Sequence, residues 1–253
     1  MAKAAWVVGN WKQNPTTDIE ATALALSLRD VLVDADNVNV MIAPSFVHLE
    51  CVIGVFSGSP IQVASQDVAY KNATTGAYTG DVSAAQVAGV GATWTLIGHS
   101  ERRQYHHENN VMLVQKICHA IGAGLKVIFC VGETKTDYDT KATMDVLASQ
   151  LQVLNELGDT TLTADNFVIA YEPVWAIGTG LVPTTLEISM VHQYIKRFVS
   201  PFIGGVSVLY GGSVNDINAN ELAQCADIDG VLVGGASLKP SAFATIVQAF
   251  NEL

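Results

Sequence analysis

Four polar residues with acid–base or charge-binding chemistry each follow an apolar run typical of a buried strand: Asn10, Lys12, His99 and Glu172. A carboxylate can accept a proton, a neutral imidazole can donate a hydrogen bond to a carbonyl oxygen, and a lysine can balance an anion. If the fold brings these strand ends together, the four residues could move a proton beside a carbonyl group.

The segment after Glu172 has the composition of a closing loop. It consists of Pro173, Val174, Trp175, Ala176, Ile177, Gly178, Thr179 and Gly180. Apolar residues in a short loop between a proline and glycines must pack against something when the loop shuts, which is the behaviour of a lid. The alternative is an ordinary strand-to-helix connection with a surface glutamate. The presence of partners for Glu172 decides between the two.

Two glycine-rich turns follow the last two apolar runs of the chain. Their residues are Gly211, Gly212 and Ser213 in the first turn, and Gly234 and Gly235 in the second. Glycines let backbone amides approach an anion closely, and a helix N-terminus adds partial positive charge. Tight turns without a ligand are the alternative. The pair of turns favours a phosphate site.

His99 lies directly before a segment, 100–103, that can begin a short helix. The N–H groups and positive potential of a helix N-terminus disfavour the imidazolium form of a neighbouring histidine. His99 is therefore expected to be a neutral hydrogen-bond donor, and a buried structural histidine is the alternative. His106 and His107 lie in a polar stretch and are expected to face solvent. No role is assigned to the histidines in helical patterns, which are His48, His119 and His192.

The chain contains eight units in which an apolar strand precedes a helical pattern. The predicted strands are Ala4–Gly9, Val38–Ala43, Ile61–Ser65, Trp94–Ile97, Lys126–Val131, Asn166–Ala170, Val206–Tyr210 and Gly230–Val233. The predicted helices are Asp18–Val33, Phe46–Phe56, Asp81–Val90, Val111–Ile121, Thr140–Leu157, Thr184–Phe198, Ile217–Cys225 and Phe243–Phe250.

This count predicts an α/β protein, a (β/α)8 barrel (TIM barrel) of eight parallel strands with outer helices, as one domain over residues 1–253. An open doubly wound sheet is the alternative. It is weakened because no GxGxxG follows the first strand. In a barrel all eight carboxyl ends of the strands meet on one face, so the polar strand ends and both glycine turns would share it.

Composition excludes several classes of partner. The 253 residues are 49% hydrophobic and 15% charged with a net charge of −11, so nucleic acid and anionic membranes are poor partners. No run approaches the ~20 apolar residues of a membrane span, and the N-terminal apolar stretch is too short for a signal peptide. The cysteines form no CxxC pair and are expected to be reduced residues of a cytoplasmic protein. They are Cys51, Cys118, Cys130 and Cys225.

Five motifs together resemble the triosephosphate isomerase family from end to end. They are Asn-Trp-Lys at 10–12, Gly-His-Ser-Glu-Arg-Arg at 98–103, Ala-Tyr-Glu-Pro-Val-Trp-Ala-Ile-Gly-Thr-Gly at 170–180, Tyr-Gly-Gly-Ser at 210–213 and Gly-Gly-Ala-Ser-Leu at 234–238. The resemblance implies an isomerase of glycolysis and gluconeogenesis. It would interconvert dihydroxyacetone phosphate and D-glyceraldehyde 3-phosphate without metal or cofactor.

The resemblance also implies residue roles. Glu172 would shuttle the proton through an enediolate, and His99 would be the electrophile, as this family is described in general accounts of catalysis. Lys12 and Asn10 would bind and polarise the substrate, with Glu101 orienting Lys12. The amides expected to grip the phosphate are those of Gly178, Ser213, Gly234 and Gly235.

Further expectations from the resemblance concern the lid and the partner subunit. Ile177 and Leu232 would press on the Glu172 carboxylate when the lid closes, and Glu133 would receive Trp175 in the closed lid. The 66–80 loop, Gln66–Gly80, would form a homodimer by placing Thr79 beside Asn10 and Glu101 of the neighbouring subunit, although a mobile surface loop is common at this length.

The chain departs from the family pattern at three positions. Leu181 stands where many members have lysine, Pro183 lies close to the lid hinge, and Asp67 replaces the asparagine that commonly follows Gln66. Two other functions stay open. A Schiff-base aldolase would need a desolvated lysine on the active face, and a phosphate-binding protein would bind without turnover.

Overall fold

The computed structural model describes residues 4–32 and 35–252, and its strands close into one parallel barrel in chain order. The strands are β1 (Ala5–Asn10), β2 (Val38–Ala43), β3 (Gln62–Ser65), β4 (Trp94–Ile97), β5 (Lys126–Val131), β6 (Phe167–Tyr171), β7 (Ser207–Tyr210) and β8 (Gly230–Val233). The barrel prediction is confirmed, and the open sheet is excluded because β1 pairs with both β2 and β8.

Strands buried on both faces explain the near-continuous apolar runs in the sequence. Along β1, Val7 packs outward with the helices, whereas Trp6 and Val8 point into the barrel. Inside, the rings of Trp6 and Trp94 meet edge to face with centroids 5.0 Å apart. The interior is therefore a packed core, as is usual for eight strands, and the open space lies at its carboxyl end.

Closure between β1 and β8 depends on a glycine. Trp6 pairs with Gly230, whose φ is +147°, and a Cβ at this position would lie 2.1 Å from the Trp6 carbonyl oxygen. No other residue type fits such a contact without moving one strand. Gly230 therefore lets the last strand approach the first.

Ten helices surround the barrel in the described chain. They are α1 (Asp18–Val31), α2 (Leu49–Phe56), α3 (Ala84–Gly89), α4 (Ser100–Tyr105), α5 (Asn110–Gly122), α6 (Lys135–Asp139), α7 (Thr143–Leu151), α8 (Thr185–Val199), α9 (Ala219–Ala223) and α10 (Pro240–Asn251). The four predicted helices at 46–56, 111–121, 184–198 and 217–225 all occur, with ends shifted by up to a few residues. The α1 prediction extended to Val33, which lies outside the described residues.

Three helix predictions need correction. The single helix predicted over 140–157 is wrong, because Lys141 has φ +61° and separates α6 from α7, after which a 3₁₀ turn follows at Gln152–Glu156. Helix α3 starts later than predicted because Ser83 caps it, with its side chain accepting from the Gln86 amide. Helix α10 starts earlier than predicted because Pro240 occupies its first turn, where proline is favoured.

Within residues 4–32 and 35–252, none of these helices combines the length and apolar character that crossing a bilayer would require.

Candidate active site

A cavity of about 410 Å³ opens at the carboxyl ends of the strands. It is lined by Asn10, Lys12, His99, Glu172, Ile177, Gly178, Gly180, Gly211, Gly212, Ser213, Leu232, Gly234 and Gly235, among others. The structure thus brings together the polar strand ends, the two glycine turns and part of the predicted lid. Glu101 and the lid residues Pro173, Val174, Trp175, Ala176 and Thr179 lie outside this lining.

Glu172 is held at the end of β6 by its own backbone. Its amide donates to the Val131 carbonyl at 2.7 Å, and the residue is 2% exposed. Its carboxylate lies 3.1 Å from His99 Nε2 and accepts from the Ser100 amide at 3.3 Å. Burial raises the pKa of Glu172, but His99, the Ser100 amide and Lys12 together lower it by more. In this arrangement Glu172 is therefore an ionised, paired carboxylate.

His99 is the N-cap of α4, as its position before 100–103 predicted. Its Nδ1 accepts from the Glu101 amide at 3.2 Å, which places the ring proton on Nε2, toward Glu172. Burial lowers the pKa of His99, whereas Glu172 and then Glu101 raise it by more. This upward shift and the amide at Nδ1 favour opposite protonation states. We take the imidazole as neutral, because an imidazolium would point a second N–H at the Glu101 N–H.

Lys12 is fixed in an uncommon backbone conformation, with φ +53°. Its amide donates to the Asn10 side chain at 2.9 Å, and its carbonyl accepts from Gln66 Nε2 at 2.8 Å. Its Nζ lies 2.5 Å from Glu101 Oε1. Both ends of the residue are thus held, and the ammonium faces the cavity beside a carboxylate.

The predicted lid folds into a 3₁₀ turn at Val174–Ala176, directly after Pro173. Trp175 Nε1 donates to Glu133 Oε1 at 2.8 Å, and its ring lies 4.4 Å from that of Tyr138. Ser213 Oγ donates to the Ala176 carbonyl at 2.6 Å. The expected Trp175–Glu133 contact is therefore present while Glu172 is paired with His99.

The first glycine turn is crowded by the residues of the site. A Cβ on Gly211 would lie 2.8 Å from Glu172 Cγ, and one on Gly212 would lie 2.2 Å from the Tyr210 hydroxyl. In the second turn, Gly235 begins a 3₁₀ turn, Gly235–Leu238. Only glycine at 211 and 212 leaves the carboxylate and the tyrosine where they are.

Sequence reasoning missed a buried cluster of charges beside the cavity, formed by Asp67, Arg102, Glu108 and Lys116. A lysine in the middle of a helical pattern predicts a solvated surface charge, yet Lys116 is 2% exposed. The Asp67 departure was the one signal that pointed to this region.

Within the described ranges, one group of three side chains has metal-ligand geometry: Asp18, His48 and Cys51. None of them lines the cavity. His48 Nδ1 is already 2.6 Å from Asp18, and its Nε2 is 3.0 Å from the Pro15 carbonyl. These contacts tie α1 to the segment after β2, so the group serves the fold.

A closed barrel of eight parallel strands with its cavity at the carboxyl ends is the architecture of (β/α)8-barrel enzymes. The family model for triosephosphate isomerase matches residues 5–250. Triosephosphate isomerase from Psychrobacter cryohalolentis is 48% identical, covering 98% of each chain. The Porphyromonas gingivalis W83 protein of the same name is 42% identical, covering 96% of this chain and 98% of its own. The chain belongs to the triosephosphate isomerase family.

Proposed function

We propose that the protein interconverts dihydroxyacetone phosphate and D-glyceraldehyde 3-phosphate. The observation that carries this is the meeting of Glu172 and His99 Nε2 at 3.1 Å on the wall of a cavity that also holds Lys12. A base, a hydrogen-bond donor and a cation are what proton transfer beside a carbonyl needs. The reaction moves protons only, so it calls for no cofactor or metal.

In the proposed reaction, Glu172 turns from His99 to the substrate and removes a proton from the carbon next to the carbonyl. The electron pair of that C–H bond forms the enediolate double bond, and the carbonyl oxygen takes the negative charge. His99 donates its Nε2 proton to that oxygen as a hydrogen bond, with Lys12 and Asn10 binding and polarising it. Glu172 then returns its proton to the former carbonyl carbon, while the hydroxyl proton of the first carbon passes by way of His99 to the former carbonyl oxygen, so that the carbonyl and hydroxyl groups exchange places. When Glu172 leaves His99, the main influence that raises the His99 pKa leaves with it.

The phosphate is proposed to bind between the glycine turns and the lid, at the amides of Gly178, Ser213, Gly234 and Gly235. These four residues all line the cavity that also holds Glu172 and His99. Since the net charge is −11, local donors must attract the anionic substrate against the overall field. Lys12, which lines the cavity, supplies positive charge, and Glu101 orients it.

The lid is proposed to protect the intermediate. An enediolate next to a phosphate readily expels it in water, so the site must exclude water while the intermediate exists. Ile177 already lines the cavity, and Trp175 rests against Glu133 and Tyr138. Burial raises the pKa of Glu133, although Trp175 and Tyr171 lower it by their hydrogen bonds. On closure Ile177 and Leu232 would pack on the Glu172 carboxylate and raise its basicity.

A homodimer built on the 66–80 loop is proposed as the active form. A groove of about 650 Å³ runs beside the cavity and is lined by Asn10, Lys12, His99 and Glu101. Tyr105, which also lines this groove, is 68% exposed. A partner's Thr79 would fill this groove and brace the site. We place the enzyme in the cytoplasm, with no nucleic-acid or membrane partner.

A coupled assay on the purified protein tests the proposal. In deuterium oxide, the wild type should isomerise the substrate and leave deuterium at the carbon next to the carbonyl. Glu172→Gln should show neither isomerisation nor deuterium incorporation. Absence of turnover with tight binding of phosphoglycolate would instead indicate a phosphate-binding protein. Borohydride trapping of substrate would indicate an aldolase. We expect none, because Lys12 is paired with Glu101 and Lys116 with two carboxylates.

A further inference from the structure

Four charged side chains form a cluster next to the cavity, in which Asp67, Glu108 and Lys116 are buried and the Arg102 side chain is 30% exposed. Lys116 Nζ lies 2.6 Å from both carboxylate oxygens of Asp67 and 2.6 Å from Glu108 Oε1. Arg102 Nε lies 2.7 Å from Asp67 Oδ2 and 2.6 Å from Glu108 Oε1. Two cations thus share two carboxylates, and the charges balance. With asparagine in place of Asp67, one carboxylate would have to serve both cations.

The cluster connects the elements that carry the proposed catalytic groups. Asp67 follows β3, Arg102 lies in α4, and Lys116 lies in α5. Helix α4 has only six residues, has His99 as its N-cap, and presents Glu101 to Lys12. A helix this short has little stability of its own, so its position depends on side-chain contacts such as that of Arg102.

The residue before Asp67 holds the other side of the same site. Gln66 Nε2 donates to the Lys12 carbonyl at 2.8 Å and to the Ala43 carbonyl at 2.9 Å. The segment after β3 therefore fixes Lys12 through Gln66 and α4 through Asp67. Gln66 therefore fixes the position of Lys12, and Asp67 fixes the helix that carries Glu101. The two partners of this ion pair are held by adjacent residues at the end of β3.

Stability does not account for this arrangement. Burial and Glu108 raise the pKa of Asp67 to about 6, although Lys116 and Arg102 lower it. An acid whose pKa is higher in the folded state than in the unfolded state costs stability when ionised, above that pKa. Buried ion clusters in general add little to stability. The ionised carboxylate therefore adds little to the stability of the fold, and its contacts with Arg102 and Lys116 point instead to a role in holding α4 in place.

We propose that Asp67 is a positioning residue for the isomerisation: its carboxylate holds Arg102 and thereby fixes α4, with His99 and Glu101, against the cavity. This inference rests on the proposed function. Protonation of Asp67 removes one of the two anions that hold Arg102, and α4 loosens. Asp67→Asn imitates the protonated state at every pH.

The effect of Asp67 on kcat must be distinguished from the effects of the other charged groups near it. Arg102 faces it from α4, Lys116 from α5, and Glu108 from the connection between these helices. The adjoining groove is lined by His106 and Asp81, and the larger groove by Lys12 and Glu101. His106→Gln and Asp81→Asn are therefore the matched controls.

The experiment measures kcat from pH 5 to 9 for the wild type, Asp67→Asn, Arg102→Gln and the two controls. We expect Asp67→Asn and Arg102→Gln each to lower kcat about tenfold at pH 8, since small errors of position are costly in catalysis. The wild type should fall toward the Asp67→Asn value below pH 6, and Asp67→Asn should lack that fall. The substrate phosphate also titrates here, but it contributes equally to every variant.

A structural role would give a different pattern. If Asp67 only stabilised the fold, Asp67→Asn would lower the urea midpoint and leave kcat of the folded enzyme at its wild-type value, whereas positioning predicts a lower kcat at pH 8 whatever the midpoint. The double variant Asp67→Asn/Arg102→Gln should lose no more than either single variant. If the double variant lost the product of the two single-variant factors, the proposal would be overturned. It would also be overturned if Asp67→Asn kept the wild-type kcat and the wild-type fall in kcat below pH 6.

Hydrogen exchange of the amides of residues 100–103 tests the inference without relying on turnover. Relative to the intrinsic rates, exchange in the wild type should quicken below pH 6, and in Asp67→Asn it should be fast throughout. Equal protection in both proteins at pH 8 would overturn the positioning role even in an active enzyme. Absence of isomerase activity with the expected exchange pattern would instead refute the proposed function and leave the coupling of Asp67 to α4 established.

Discussion

Replacing Gly211 with alanine tests whether the position of the Glu172 carboxylate sets the rate. The new Cβ would lie 2.8 Å from Glu172 Cγ, 3.3 Å from the Tyr171 carbonyl oxygen and 3.6 Å from Leu232 Cβ. Two carbon atoms rest at about 3.5–4.0 Å, so this pair must separate by about 1 Å. The Tyr171 carbonyl belongs to β6 and cannot yield, so the Glu172 side chain moves.

The cost follows from that displacement. Misplacing a reacting group by about 1 Å can cost ~10²-fold in rate, equivalent to ~2.7 kcal/mol of transition-state stabilisation. Overpacking by one methyl group costs the fold ~1–3 kcal/mol, which a barrel of this size should survive. We therefore expect a folded Gly211→Ala protein whose kcat is reduced about 100-fold.

Steady-state kinetics and inhibitor binding distinguish this effect from general damage. The phosphate donors are not displaced by the new methyl group, so affinity for inorganic phosphate should change less than about threefold while kcat falls. Gly54→Ala is the matched control, because a Cβ there meets nothing within 4 Å. A folded Gly211→Ala enzyme with kcat within twofold of the wild type would refute the reasoning, since the carboxylate would then tolerate displacement.

Four further outcomes are expected. Glu172→Gln should fold normally and lose ~10²–10⁴-fold in kcat, because an amide cannot take up a proton. His99→Gln should also lose activity. Near wild-type turnover in either variant would remove that residue from the mechanism. Deleting Ile177–Thr179 should slow isomerisation and raise the share of turnovers that release inorganic phosphate and methylglyoxal, and an unchanged product ratio would show that the loop only aids binding. Burial lowers the pKa of His192 to about 3, so the unfolded chain takes up a proton at His192 below pH 6.5 and stability is lost as pH falls. Between pH 7 and 5 the wild type should lose about 2 kcal/mol more unfolding free energy than His192→Gln, measured with urea, and parallel losses would contradict the buried neutral imidazole.

The strands and the site face were predictable because barrel closure leaves few alternatives. Each strand is a short apolar run, and the polar residue after it must lie at the carboxyl end. Strand β6 still includes Tyr171, one residue beyond its predicted end. That register buries Tyr171 and places Glu172 at the rim, where its amide reaches Val131.

Helix boundaries and side-chain partners were harder to predict, for two physical reasons. The break between α6 and α7 depends on the positive φ of Lys141. Because lysine rarely adopts a positive φ, the residue type gives no sign of this break. The Asp67–Lys116 contact joins residues 49 positions apart. No local pattern carries such a pairing, and a lysine in an amphipathic helix gives no sign of being buried.

The closure of β1 against β8 has a consequence for synthesis of the chain on the ribosome. Strand β1 is made first, yet one of its two edges has no partner until Gly230–Val233 emerges, more than 220 residues later. At ~5–20 residues per second, that delay is roughly 10–45 s. During this interval an apolar strand with a free row of backbone donors and acceptors is a template for pairing with another chain. Newly made chains are thus exposed to aggregation until the last strand arrives.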